Sequence, residues 1–183
     1  DATISSFNFG GNAGSSLVFG AAKTFTGNIV AGGANSGIVD TGAFSPTIVG
    51  SVGSNGGNAI SQLKIASSQT LTLSGGDLNT SSVYFGNTSS DLKLSGSTDG
   101  TITIATTLNP ANANSSGIFE TAGSANRTIN ATFGTSSNSF SAFNLGGTGT
   151  QTFASGSNKQ YFSTLTFTGA AASKATFAGG ATI

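Results

Sequence analysis

An all-β chain wound as a parallel β-helix is the fold this sequence predicts, on three observations. First, short segments carry apolar residues at i and i+2: Leu63/Ile65, Leu71/Leu73, Val83/Phe85, Leu92/Leu94 and Ile102/Ile104. Each pair puts two apolar side chains on one face of a strand, and successive pairs recur at the roughly 8–12-residue spacing of repeated short strands. Second, the links between them are Gly, Ser, Asn and Asp, with 28 Gly in 183 residues; Gly and Asn tolerate the positive φ that tight turns need. Third, no apolar stripe of helical period exists, and a Gly inside a helix costs about 1 kcal/mol, so helix is excluded.

The elements follow in order. Ala2–Phe9, Ser16–Phe19 and Thr24–Val30 read as strands. Residues 34–58 are the loosest stretch and are expected to form an irregular turn or loop. Pro46 within it cannot donate to a ladder, so it belongs at an edge or corner. Residues 59–108 form the regular block of five apolar pairs, and 109–116, with Pro110, read as a loop. Strands resume at Ile118–Glu120, Thr128–Phe133, Phe140–Leu145, Thr150–Phe153, Tyr161–Thr168 and Lys174–Phe177. Composition is uniform from end to end, so residues 1–183 are expected to be one repetitive β domain, part of a longer surface protein or a fibre subunit. An antiparallel β-sandwich or jelly roll is the alternative. The Thr98-Asp99-Gly100 turn between Leu92–Leu94 and Ile102–Ile104 has the chemistry of a hairpin, and hairpin pairing there would favour the sandwich.

Residue chemistry narrows the function. His and Cys are absent, which removes the commonest general base and the commonest soft metal ligands. The carboxylates are Asp1, Asp40, Asp77, Asp91, Asp99 and Glu120. Asp77, Asp91 and Asp99 fall in turns of the regular block and are placed to stack on one edge of a solenoid, where two carboxylates would suit glycosidic cleavage. Aspartate also serves turns by bonding the local backbone, and that reading is preferred. The same aspartates with Asn79 and Asn87 form a thin basis for Ca²⁺, which takes six to eight oxygens at one point. Ser61-Gln62-Leu63-Lys64 matches S-x-x-K without its partner motifs or its helix. A Lys–Asn isopeptide bond would draw on Lys64 or Lys93 with Glu120. Sequons begin at Asn79, Asn87, Asn114, Asn126 and Asn130. The sequence assigns no catalytic, cofactor-binding or metal-ligating residue, and no enzyme activity is expected.

The net charge is zero and only 7% of residues are charged. The six basic residues, Lys23, Lys64, Lys93, Arg127, Lys159 and Lys174, are scattered singly, so no basic stripe exists for nucleic acid. No apolar run approaches the roughly 18 residues of a spanning helix. With two Tyr and no Trp the aromatic girdles of a membrane barrel are not provided either, so membrane insertion by this segment is not expected. No basic and apolar leader stands at Asp1, and any export signal is expected outside these residues. Without cysteine, an extracellular chain of this size must be held by backbone pairing and stacking.

The segments STLTFTGAAASKATFAGGATI, SQTLTLSGGDLN and NRTINATFGTSSN resemble passenger regions of bacterial autotransporters, notably the surface antigens of rickettsia-like bacteria. That resemblance spans most of the chain through its strand-then-Gly rhythm. It implies a right-handed parallel β-helix displayed at the outer surface, with roles in adhesion or coat formation, and it carries over no active-site residue. The expected function is thus a non-enzymatic, extracellular structural or adhesion module with a host or cell-surface ligand. The alternative is a self-assembling filament or surface-layer subunit, joined through an edge strand such as Ala2–Phe9 or Lys174–Ile183.

Overall fold

The computed structural model describes residues 1–53, 58–108, 116–154, 159–169 and 173–177. Among them there is no helix, and every named strand pairs in parallel with its neighbours. The strands are β1 (Ala2–Asn8), β2 (Ser16–Val18), β3 (Thr24–Val30), β4 (Ile38–Asp40), β5 (Thr47–Val49), β6 (Ile60–Ile65), β7 (Thr70–Leu73) and β8 (Leu78–Phe85). They continue as β9 (Asp91–Leu94), β10 (Gly100–Ile104), β11 (Ile118–Thr121), β12 (Arg127–Asn130), β13 (Phe140–Leu145), β14 (Thr150–Phe153), β15 (Phe162–Phe167) and β16 (Lys174–Phe177). Odd-numbered strands stack in one eight-stranded sheet and even-numbered strands in the other. The chain therefore winds as a β-solenoid of about seven turns.

The register shows how the winding is built. Phe25, Ile48, Leu73, Leu94, Thr121, Leu145 and Phe167 occupy one column, each hydrogen-bonded strand to strand with the next. A second column runs Phe7, Ile29, Val52, Leu78, Ile102, Ile129, Phe153 and Phe177. A third holds Leu17, Val39, Leu63 and Val83. The turns up to Val83 thus pass three lines of pairing, here called the first, second and third walls. The long strands β1, β3 and β8 bend from one wall to another: Leu78–Thr80 pairs with β10, while Thr80–Phe85 pairs with β6. Because strands in one wall belong to successive turns, sequence neighbours such as β9 and β10 lie in different sheets. The Asp99-Gly100 turn is therefore a corner and not a hairpin. Its chemistry suits either use, since the same turn residues reverse a chain or bend it.

Residues 34–58 also differ from expectation. They hold two regular strands, β4 and β5, with Val39 and Ile48 fully buried. Three-residue strands leave room for only one inward side chain, too few to show alternation in the sequence. Pro46 does sit at a corner, directly before β5, and its carbonyl accepts from Thr72 N at 3.1 Å. The expected loop at 109–116 lies, except for Ser116, outside the described residues, as do Pro110 and Asn114.

One column explains how the corners close. Gly27, Gly50, Gly75, Gly96, Gly123, Gly147 and Gly169 each stand two residues after a member of the first-wall column. A side chain at Gly147 (φ +77) would meet the Gly123 carbonyl at 1.8 Å, and one at Gly123 would meet the Gly96 carbonyl at 2.1 Å. The corner backbones stack so closely that only hydrogen fits between them.

The interior is filled by the inward column residues, almost all buried, from Ile29 to Phe153. The outermost turns are less covered: β1 is exposed along most of its length, and β15 is at best half-buried.

Candidate functional site

Hydroxyl and amide groups dominate the outer faces, so any site must be built from ladders of them. On the second wall Thr101, Thr128, Thr152 and Thr176 stack on successive turns. A parallel row on the same face holds Asn79, Thr103 and Asn130 on successive turns. Across β10, β12 and β14 this face is dished by two shallow depressions. One, of about 380 Å³, is lined by Asp99, Thr101, Asn126, Thr128 and Thr152. The other, of about 240 Å³, is bordered by Thr103, Asn130, Thr132, Ala105 and Ala154.

The turn aspartates do something the sequence did not reveal. They were expected to bond the local backbone, as Asp40 does through Oδ1, which accepts from Gly42 N at 2.8 Å. Asp77 and Asp99 instead reach the following turn. Asp77 Oδ1 accepts from Thr101 N at 2.8 Å, Asp99 Oδ1 from Asn126 N at 2.7 Å, and Asn126 Oδ1 from Thr150 N at 3.0 Å. The same device recurs at Asp1 with Thr24, Asn28 with Ser51 and Ser45 with Thr70. A side chain in one turn thereby satisfies a backbone N–H that enters a strand of the next, where the ladder has not yet begun.

Asp77 and Asp99 do share an edge, the corner leading into β8 and β10, but Asp91 opens β9 on the first wall. The bonds from Asn126 hold the Asp99 carboxyl below the usual carboxylate range, which is wrong for a general acid. Asp91 is the carboxyl with an acid-like value: burial pushes it up to about 6, with the Glu120 carboxylate adding and Lys93 opposing. Its Oδ1 is buried without a hydrogen-bond partner. Asp91 therefore stands on a different wall from Asp77 and Asp99, and the three do not meet across one cleft. Among the described residues no three carboxylate, His or Cys side chains converge on a point where Ca²⁺ would sit. Asn87, one of the residues considered for it, is occupied by Ser68 N at 3.1 Å and Ser89 N at 3.0 Å.

Lys64 of the S-x-x-K match is paired with Asp40 on the neighbouring turn at 2.7 Å. That hydrogen bond and the Asp40 charge raise its pKa, so it stays an ammonium and cannot take a proton from Ser61. Lys93 pairs with Glu120 at 2.5 Å. The residue beyond Glu120 in this column is Asn144. Glu120 stands between Lys93 and Asn144, which are two turns apart, about 9–10 Å at the spacing of adjacent strands. An isopeptide bond has no route there. Of the sequons, Asn126 is tied to Asp99 and Thr150, while Asn130 stands exposed on the second wall.

One residue was missed. In the sequence Arg127 is only one of six singly scattered basic residues, yet it is 2% exposed and occupies an inward position. Its Nη2 donates to Ser95 O at 2.8 Å and its Nη1 to Ala125 O at 3.4 Å, and burial lowers its pKa. The alternation Arg127-x-Ile129 was the available signal. Gln151 is stacked above it, donating through Nε2 to Ala125 O at 3.1 Å. Arg127 is therefore turned away from the second-wall depressions, while Lys174 stands exposed at the start of β16, paired with Thr150 one strand beyond them.

At the first turn, Leu17, Val18, Phe19 and Phe25 line a third depression of about 350 Å³. Val18 is 55% exposed there, and Phe167 is 56% exposed near the other end of the stack.

No protein family, no curated protein and no solved structure matches this chain.

Proposed function

We propose that this chain is a non-enzymatic, extracellular structural module, a rigid β-solenoid that acts as a spacer and presents an adhesive face. The observation that carries this reading is the turn-to-turn ladder. Polar side chains on the outside, Asp77, Asp99 and Asn126 above all, hold the backbone of the next turn instead of converging on a substrate-sized cleft. Cysteine-free construction and a surface poor in charge agree with a chain exported unfolded and set outside a cell. The passenger regions of autotransporters remain the resemblance that fits this role. The test has two arms. The chain should stay monomeric in light scattering and resist proteinase K under conditions that digest a globular control. Beads coated with it should bind epithelial monolayers above albumin-coated beads. Rapid proteolysis, or no excess binding, overturns the reading.

A filament or surface-layer subunit is the second reading, favoured by one observation. Among the described residues β1, β2, β15 and β16 each have a strand on one side only, and apolar side chains stand exposed beside them, Ile4 and Val18 at one end and Phe167 at the other. Concentration-dependent polymerisation that stops when residues 1–9 are deleted would put this reading first.

A further inference from the structure

We propose that the outer face of the second wall, across β10, β12 and β14, binds a neutral oligosaccharide; this rests on the adhesive reading above and names the chemistry of its ligand. Three features of the face select that class. A peptide strand binds a sheet by adding to an open backbone edge, and β12 has no open edge because β10 and β14 occupy both sides. Recognition must come from side chains, and those offered are hydroxyls, amides and one carboxylate. Thr101, Thr128 and Thr152 repeat a hydroxyl at the inter-strand step of about 4.8 Å. Each is both donor and acceptor, as sugar hydroxyls are.

Asp99 stands exposed at the mouth of the larger depression. Asn126 N and Nδ2 fix its orientation while leaving lone pairs on both oxygens. A carboxylate so placed accepts from two adjacent hydroxyls of one sugar ring. It also works against anionic ligands, because Arg127 is spent on Ser95 and Ala125 inside the core and the exposed Lys174 on β16 lies outside the lining of both depressions. Farther along β12, Ala105 just past β10 and Ala154 just past β14 place a methyl group on either side of Asn130, suited to the C–H face of a pyranose. The two depressions lie end to end along β12, so the ligand would extend along the strand direction and span more than one sugar.

The experiment is an amide-resolved NMR titration of the whole chain with four hexasaccharides: cellohexaose, maltohexaose, chitohexaose and a heparin-derived one. At least one neutral hexasaccharide should shift resonances around Thr101, Thr128 and Thr152, and the heparin fragment should shift none of them. Thr128→Val and Asp99→Asn should each weaken the neutral ligand about tenfold. Their unchanged dispersion and melting temperature would show that the fold is kept. No response to any neutral hexasaccharide overturns the proposal, as does a heparin response at the same residues or binding unaltered in Thr128→Val/Thr152→Val. Coated beads that still adhere when no hexasaccharide binds would sink this inference and leave the adhesive reading standing. Hexasaccharide binding by a chain whose beads do not adhere would do the reverse.

Discussion

Between Ile29 and Leu78 the solenoid is cored by aliphatic residues, and from Phe119 onward mainly by aromatic ones. From Ile29 to Leu78 the fully or nearly fully buried large side chains are Ile, Val and Leu, among them Val39, Ile48, Leu63 and Leu71. From Phe119 onward the interior holds Phe119, Phe133, Phe140, Phe143 and Phe153, extended by Phe162 and Phe177. Phe119 and Phe143 stack with centroids 5.0 Å apart, and Phe153 and Phe177 at 4.6 Å with planes 7° apart. Phe133 sits against five other rings. In a parallel stack, like residues on successive turns lie one strand spacing apart, close to the separation that offset rings prefer. Each half therefore matches its own turns, and the two need agree only where they meet. The difference also extends to polar groups. Among the described residues the buried side-chain atoms without a partner are Asp91 Oδ1, Thr121 Oγ1 and Gln151 Oε1, all at or beyond the junction.

The sharpest way to break this contrast is at Phe133. Replacing it with Ala removes a fully buried ring and all of its ring partners, and should cost about 3–5 kcal/mol in urea-induced unfolding. Leu63→Ala in the aliphatic half should fall in the lower part of the range for Leu, about 2–5 kcal/mol, because slender neighbours collapse more readily into the gap. Equal losses at the two positions would remove the distinction between the halves.

Gly147→Ala comes next. The added carbon would stand 1.8 Å from the Gly123 carbonyl with the backbone at φ +77, and strain of this kind costs on the order of 1–3 kcal/mol. The thermal transition should move down accordingly, whereas Gly11→Ala, which meets nothing, should move it little.

The junction residue Asp91 gives a pH dependence. Its folded pKa of about 6 lies above its ordinary value of 3.8, so between those values the folded chain holds a proton that the unfolded chain has released. Stability then falls as pH rises from about 4 to 6 and stays lower above. In Asp91→Asn this fall should vanish and the neutral-pH midpoint should rise. A fall of the same size in the variant would place its source elsewhere.

The smallest expected effect is at Thr121. Its buried hydroxyl has no partner, and Thr121→Val keeps the shape, so chemical unfolding should show a change of about 1 kcal/mol or less, in the stabilising direction. A clear loss would mean that the hydroxyl is satisfied in solution.

What was legible in the sequence follows from the same geometry. Strand existence was, because Leu71/Leu73 and Leu92/Leu94 alternate within one sheet surface. The connection between strands was not. Asp99-Gly100 bends the chain between walls with residues that would equally reverse it, and only the partner one turn away, Asn126, decides which. The third wall was hidden as well, since a two-wall passage such as β8 reads as one long strand. The length of a turn was available in a signal left unread, the column from Gly27 to Gly169, each Gly two residues past an inward side chain. Of the polar groups, the scattered distribution of Lys and Arg said nothing about direction, and Arg127 pointed inward while the exposed Thr ladder looked like ordinary strand composition.

The glycine column and the hydrogen bonds between turns both run along the axis, with the strands lying across it. A pull applied to the two ends therefore meets the bonds of one turn at a time, as in peeling tape, and never shears a whole sheet at once. The molecule should yield at a low, nearly constant force and lengthen in steps of one turn, each releasing about 24 residues. Sideways load, spread over three walls, would find it stiff.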